Sequence, residues 1–244
     1  SPAFSNMPAM LRFTSHGLRE MVVGTIILAA VGIGLSLIFW PLGLFVIPVW
    51  FWLMAFFRDP ERIVPVEQHI MVSPADGKVS DITELDNCDL VDGPAVRVGI
   101  FLSVFDVHIN RAPCDGKVVA VNYKKGKFIN ALHHSQASEQ NESNTLILAE
   151  PQSDRKVAAV KQIVGLIARR IICTSAVGDR VERGQRIGMI KFGSRTELYI
   201  PKWLKPEIVV QVGQPVRAGA DVVARLAEGI ETQRPAGEVE TRQT

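Results

Sequence analysis

Hydrophobic and polar positions divide the chain in two. From residue 21 to residue 57 there is no charged side chain. A helix crossing the hydrocarbon core of a bilayer needs about 20 predominantly apolar residues, and residues 21–40 meet that requirement. Pro41-Leu-Gly43 then punctuates the run, and residues 44–57 continue it for a shorter stretch holding Pro48, Trp50 and Trp52. A helical hairpin or re-entrant segment fits this pattern better than two full crossings. Arg12 and Arg19 precede the run, and Arg58 and Arg62 follow it. That distribution of basic residues accommodates both ends on the cytoplasmic side. The core hairpin of a soluble protein rarely goes so long without a charge, and a signal peptide has a shorter apolar region of about 7–15 residues. Residues 1–57 therefore read as a membrane anchor, which points to a lipid substrate or a membrane-bound partner.

Beyond residue 58 the pattern changes to short runs rich in Val and Ile, separated by turn residues. Residues 96–101, 117–123, 145–148, 157–168, 187–192 and 208–212 read as strands. Turn signals stand at Gly77, Asp92-Gly93, Asp115-Gly116, Lys125-Gly126, Gly178-Asp179, Gly184, Gly193 and Gly213. A turn about every 10 residues favours an antiparallel β-domain over βαβ units. Val177-Gly-Asp-Arg-Val-Glu-Arg-Gly-Gln-Arg-Ile-Gly188 predicts a strand–turn–strand with glycines at its corners, partly echoed by Val212-Gly-Gln-Pro-Val-Arg-Ala-Gly219. Such hairpins resemble those of biotinyl/lipoyl-type barrel-sandwich domains. The fold class expected is thus α+β: a mainly antiparallel β catalytic domain over residues 58–244, preceded by the helical hairpin. The polar tail beyond residue 228 is expected to be disordered.

Composition narrows the function classes. Over 244 residues the net charge is only +2, and Lys and Arg are scattered. Without a basic stripe or an aromatic platform, nucleic acid is not an expected partner. Cys88, Cys114 and Cys173 are widely spaced and lack the pairing of a zinc site or a disulfide framework. No metal is expected, and the cysteines read as small apolar residues in a reducing compartment.

Three short segments carry candidate chemistry. Ser73-Pro-Ala-Asp-Gly-Lys78 is a good turn in its own right and holds Asp76. Phe105-Asp-Val-His-Ile-Asn-Arg-Ala-Pro113 closes an apolar run and crowds His108 against Asp106, Asn110 and Arg111. Lys191-Phe-Gly-Ser-Arg-Thr-Glu197 places Gly193-Ser194 after a strand. Read alone, a Gly-Ser pair says almost nothing.

In this order behind an apolar anchor, the segments resemble the short form of the phosphatidylserine decarboxylase family. The matching pieces are Phe57-Arg-Asp-Pro-Glu-Arg62, Ser73-Pro-Ala-Asp-Gly-Lys-Val79, Phe101-Leu-Ser-Val-Phe-Asp-Val-His-Ile-Asn-Arg-Ala-Pro113, Gly126-Lys-Phe128, Asn141-Glu142 and Phe192-Gly-Ser-Arg195. The resemblance runs from about residue 20 to about residue 227. It implies a proenzyme that cuts itself between Gly193 and Ser194 into a large chain (1–193) and a small chain (194–244). The two chains would form a heterodimer, and exposed strand edges make further dimerisation plausible. Ser194 would become a covalent pyruvoyl group, the only cofactor, which forms a Schiff base with the serine headgroup of the lipid and releases CO2. His108 is the base and proton donor that the resemblance implies, oriented by Asp76. The long bacterial form has a second histidine three positions past the one matching His108, to which it assigns the self-cleavage base. Arg111 stands there instead, so either His108 serves both stages or another group helps cleavage. Arg111 stays protonated, so the role open to it is holding the substrate's carboxylate or phosphate.

His133 and His134 lie in a polar stretch and read as surface residues. Lys124, Lys125 and Lys127 suit either anionic headgroups or a solvated hairpin face. The implied location is the cell membrane, with the catalytic domain on the cytoplasmic side. Two other classes compete. A membrane-tethered lipoyl-like carrier would need a modifiable Lys at a hairpin tip, where this chain has Asp179, Arg180, Glu182 and Arg183. A membrane serine hydrolase using Ser194, His108 and Asp76 would lack the G-x-S-x-G elbow.

Overall fold

The structure, a computed structural model, describes residues 12–128, 138–165, 170–191 and 194–227. Phe192, Gly193, His133, His134 and the tail beyond residue 228 lie outside the described residues.

The charge-free run forms a helical hairpin. Helix α1 spans Leu18–Ile38, a 3-10 segment spans Trp40–Phe45, and helix α2 spans Val46–Phe56. Pro41 sits in the first turn of the 3-10 segment, where its missing N–H costs nothing. The two helices are joined by Thr25, whose hydroxyl donates to the Met21 carbonyl at 2.7 Å and accepts from Trp50 Nε1 at 3.0 Å. Of α1, only Met21 is buried. The stretch Ser15–Ile38 is long and apolar enough to cross a membrane, whereas the shorter apolar helix falls below that length. A helix of 21 residues covers about 31 Å.

The rest of the described chain is mainly antiparallel β, as the turn spacing predicts. Its principal sheet has eight strands: β2 (Gly77–Cys88), β3 (Gly93–Leu102), β5 (Gly116–Lys124), β6 (Ser143–Ala149), β7 (Lys156–Val164), β9 (Arg180–Val181), β11 (Ser194–Pro201) and β13 (Pro215–Val216). Their order is β13-β2-β3-β11-β7-β6-β5-β9. A three-stranded sheet, β4-β10-β8, contains Ile109–Arg111, Arg186–Lys191 and Arg170–Cys173. Another, β1-β14-β12, contains Ile70–Val72, Val222–Arg225 and Glu207–Ile208.

Alternation along the large sheet explains the core. Val98, Ile100 and Leu102 of β3, Leu198 and Ile200 of β11, and Leu146 and Leu148 of β6 join one buried cluster with Met71, Ile187 and Val223 of the smaller sheets. The opposite face carries Ala95, Ile147, Ala159 and Tyr199. Cys88 and Cys114 are buried and Cys173 is half-buried, all as free thiols; burial pushes the Cys114 thiol up to about 12.

Most expected strands are present, with informative differences. Of residues 208–212 only Ile208 is strand, at the end of the two-residue strand Glu207–Ile208. Beyond it the chain crosses between sheets: Val209 N bonds the Val223 carbonyl, and Gly213 N bonds the Val79 carbonyl. Of 157–168, the strand ends at Val164, and of 187–192 it ends at Lys191, with residues 166–168 and 192 outside the described part. In the predicted 177–188 hairpin, Gly184 turns the chain at φ +79°, a conformation that favours glycine.

Candidate active site

The foot of the hairpin stands directly on the segment that holds His108. Phe56 and Phe57 at the end of α2, with Met21 of α1, form a buried cluster with Val107, Ile109 and Met189. Backbone bonds seal the joint, from Thr14 N to the Phe57 carbonyl at 3.0 Å and from Asp59 N to the Arg12 carbonyl at 2.7 Å. The His108 ring lies 4.4 Å from the Phe56 ring, and His108 is fully buried.

A tight turn fixes that imidazole. The Asp106 carboxylate accepts from the Ser103 N–H and hydroxyl, both at 2.7 Å. Arg58 Nη2 donates to the Phe105 carbonyl at 2.7 Å. The turn thereby presents the Asp106 carbonyl to His108 Nδ1 at 2.9 Å. A carbonyl can only accept, so Nδ1 carries the proton and Nε2 carries the lone pair. Burial pushes the His108 pKa down to about 4, partly opposed by Asp106, so the ring is neutral at physiological pH.

Ser194 opens β11 between Leu102 of β3 and Val164 of β7. It is fully buried, and its Oγ has no hydrogen-bond partner among the described residues. Most buried hydroxyls find a partner, so an orphaned one calls for an explanation.

Asn110 ties the two segments together. Its Nδ2 donates to Thr196 Oγ1 at 3.0 Å and to the Pro74 carbonyl at 3.3 Å, and its Oδ1 accepts from Gln162 Nε2 at 2.9 Å. Asn110 lies two residues past His108, and Thr196 lies two residues past Ser194. One buried amide thus fixes the His108 segment, β11, β7 and the loop before Asp76. In the sequence Asn110 reads only as a polar neighbour of His108, and standing between Ile109 and Arg111 it carries no signal of a buried amide.

Asp76 is buried and holds two other partners. Its carboxylate accepts from Ala218 N at 2.8 Å and from Arg62 Nη2 at 2.5 Å. Burial pushes its carboxyl up, and Arg62 opposes that shift. Thus His108 Nδ1 bonds the Asp106 carbonyl, and Asp76 is tied to the linker after the helical hairpin. Arg111 is likewise engaged: Nη1 donates to the Gly184 carbonyl at 2.9 Å, and Nη2 donates to the Pro60 carbonyl at 3.0 Å beside Asp59. An anion would have to displace these bonds.

Beside this cluster lies a cavity of about 400 Å³, lined by Arg12, Thr14, His16, Ile109, Arg186 and Gly188 among others. It opens at the foot of the hairpin, and its lining residue Ile109 adjoins His108 in the chain. Arg186 there pairs with Asp59 at 2.7 Å and lies 3.4 Å from Glu61. Among the described residues, no group of three or more His, Cys, Asp or Glu is arranged to hold a metal ion.

Comparison with known proteins bears directly on this arrangement. Residues 51–224 match the family model described as phosphatidylserine decarboxylase. A protein of Rhodopirellula baltica named phosphatidylserine decarboxylase proenzyme is 44% identical over 219 residues, covering 90% of each chain. Proteins of the same name from Carboxydothermus hydrogenoformans and Gluconacetobacter diazotrophicus are 45% and 49% identical, covering 80% and 70% of this chain and 88% and 75% of their own.

Proposed function

The chain belongs to the phosphatidylserine decarboxylase family, and on that premise we propose that it is a proenzyme that cuts itself at Gly193-Ser194 and then converts phosphatidylserine to phosphatidylethanolamine and CO2. The observation that carries this reading is the buried, unpartnered Oγ of Ser194, tied through Asn110–Thr196 to a neutral His108.

Self-cleavage uses only residues of this chain. A serine hydroxyl is a weak nucleophile until a base takes its proton. His108 Nε2 is the base, because Nδ1 is held as a donor by the Asp106 carbonyl. Ser194 Oγ attacks the Gly193 carbonyl carbon, the C–N bond breaks, and the nitrogen takes up the proton, leaving an ester. Loss of the Ser194 Cα proton and cleavage of its Cβ–Oγ bond release Gly193 as a carboxylate and leave an aminoacrylyl residue. Tautomerisation to an imine and addition of water expel ammonia and leave a pyruvoyl group at the head of the small chain.

That group would be covalent, needing no metal, and it fits a position whose side-chain oxygen has no competing bond to give up. It supplies a ketone able to condense with the headgroup amine and to take up the electrons released with CO2. His108 Nε2 can take a proton from the headgroup ammonium, which frees the amine to condense, and hand that same proton to the substrate's α-carbon, while the apolar wall of Phe56, Val107, Ile109 and Met189 excludes water.

The hairpin gives the site its lipid. We assign residues 1–57 as the membrane anchor and the remainder as the catalytic domain, on the cytoplasmic side because basic residues flank both ends of the hairpin. Headgroup access is through the cavity at the anchor's foot, which Arg12 and Arg186 line and the engaged Arg111 does not. The large and small chains stay together because β11 is hydrogen-bonded on both sides by β3 and β7.

The test is decarboxylation of phosphatidylserine in vesicles by the purified protein and by Ser194→Ala. The wild type should release CO2 and show two chains on a denaturing gel; Ser194→Ala should do neither. An active Ser194→Ala protein would overturn the proposal.

A further inference from the structure

Once the chain is cut, the residue that follows Ser194 becomes the first intact amino acid of the small chain, and among the described residues it is the largest fully buried side chain. Arg195 has no solvent exposure. Its Nη2 donates to Asp81 Oδ1 at 2.6 Å, Nη1 donates to Ser80 Oγ at 2.5 Å, and Nε donates to Glu197 Oε1 at 2.9 Å. Asp81 and Ser80 belong to β2, two strands away from β11 in the sheet.

Two features of the backbone make that reach possible. The pairing of β2 with β3 slips between Val79 and Asp81, so Ser80 is an extra residue. Such a bulge breaks the alternation of faces, and both Ser80 and Asp81 meet Arg195. On the intervening strand, the residue opposite Asp81 on one side and Glu197 on the other is Gly99. A Cβ there would lie 2.1 Å from Arg195 Nη2 and 2.5 Å from Asp81 Oδ1, so only glycine leaves room for the ion pair to cross β3. Glu197 is held in turn by the Ser138 hydroxyl at 3.0 Å and the Tyr199 hydroxyl at 2.7 Å.

We propose that Arg195, passing over Gly99 to Asp81 and Ser80, is a positioning residue that pins the head of the small chain in the sheet after self-cleavage. The proposal rests on the cut at Gly193-Ser194. In the uncut chain, β11 is tethered at its start by the covalent link to Lys191. In the cut enzyme that tether is gone, and the ends of strands fray. A reactive group must nevertheless stay within about 0.5 Å of its productive position. The guanidinium, itself fully buried, supplies the lost restraint by bonding the small chain to the large one through the half-buried Asp81 and Ser80. The other end of the cut is held separately, because Lys191 Nζ donates to the His16 carbonyl at 2.8 Å and to Glu20 at 2.6 Å.

The test compares Arg195→Met, Asp81→Asn and Gly99→Ala, each in the normal chain and in the uncut Ser194→Ala background. Self-cleavage, followed on denaturing gels, should proceed close to the wild-type rate. In the cut enzymes kcat should fall by at least about tenfold with KM little changed, since misplacing a reacting group by about 1 Å costs up to about a hundredfold. Amide hydrogen exchange at residues 195–198 should rise about tenfold in the cut enzymes and stay low in the uncut background. Equal rises in both backgrounds would mean a purely structural ion pair and would overturn the proposal. So would cut variants with normal kcat and normal protection. Should Arg195→Met not fold, Asp81→Asn and Gly99→Ala retain the buried guanidinium and give the same readouts. A wild-type chain that never cuts would overturn the proposed function itself, and the clamp with it.

Discussion

At the scale of single residues, the site turns on one imidazole whose protonation is set by burial. With its pKa pushed down to about 4, His108 stays a base well into the acid range. Self-cleavage should therefore keep its rate from neutral pH to about 5 and fall only as pH approaches 4. A rate that halves near the ordinary histidine value of about 6.5 would contradict the assignment. The same shift affects stability with a definite sign. Between pH 6.5 and about 4 the unfolded chain binds the proton and the folded chain does not, so stability is lost as pH falls through that window. The loss from this group reaches about 3 kcal/mol below both values, measurable by urea unfolding of Ser194→Ala and the double variant Ser194→Ala/His108→Phe across that range. Asn110→Ala should slow cleavage and cost about 2–3 kcal/mol, because Gln162, Thr196 and the Pro74 carbonyl lose a buried partner. Motif order in the sequence picks out His108 and Ser194 as candidates. The bond from His108 Nδ1 to the Asp106 carbonyl was not legible, since a backbone carbonyl leaves no trace in side-chain identity, and neither was the pairing of Asp76 with Arg62.

At the scale of elements, what was legible depended on hydrophobic periodicity. Strands β3, β5 and β6 alternate or run apolar, and the turns between them contain glycine, so their positions followed from the sequence. The strand that carries the site did not announce itself. Ser194–Pro201 begins Ser-Arg-Thr-Glu, which reads as a polar surface segment, yet every residue in it is buried. Its polar groups are satisfied within the protein, Thr196 by the buried Asn110 and Arg195 by the buried Glu197 and the half-buried Asp81, and that satisfaction is invisible until the fold is known. The twelve residues of β2 were missed for a similar reason, being half polar and carrying a bulge. The linker Phe57-Arg-Asp-Pro-Glu-Arg62 also gains its meaning at this scale. Arg58 holds the turn before His108, Asp59 faces Arg111 and Arg186, and Arg62 neutralises Asp76. Arg62→Ala leaves a buried carboxylate without its cation and should lower stability by about 3 kcal/mol, seen as a lower melting temperature. Asp76→Asn in the same chain should recover part of it.

At the scale of the whole molecule, the hairpin and the catalytic sheet form one device, because the aromatic foot of the hairpin is also the wall of the His108 site. The apolar run made the hairpin legible, but nothing in the sequence said that its base would pack on the histidine segment. If the hairpin is the membrane anchor, charges on its exposed face should release the protein. Val31→Arg with Ile33→Arg should shift it from the floating to the soluble fraction on vesicle flotation, at about 2.5–3.5 kcal/mol per arginine at mid-helix. Self-cleavage should continue in that variant, since both side chains are exposed and far along α1 from the foot. The central claim, that this chain severs itself at Gly193-Ser194, is tested most directly by intact-mass analysis of the purified protein. The account predicts a large chain ending in a free carboxylate at Gly193 and a small chain whose first residue is pyruvoyl in place of Ser194. A single uncut chain with full decarboxylase activity would contradict it.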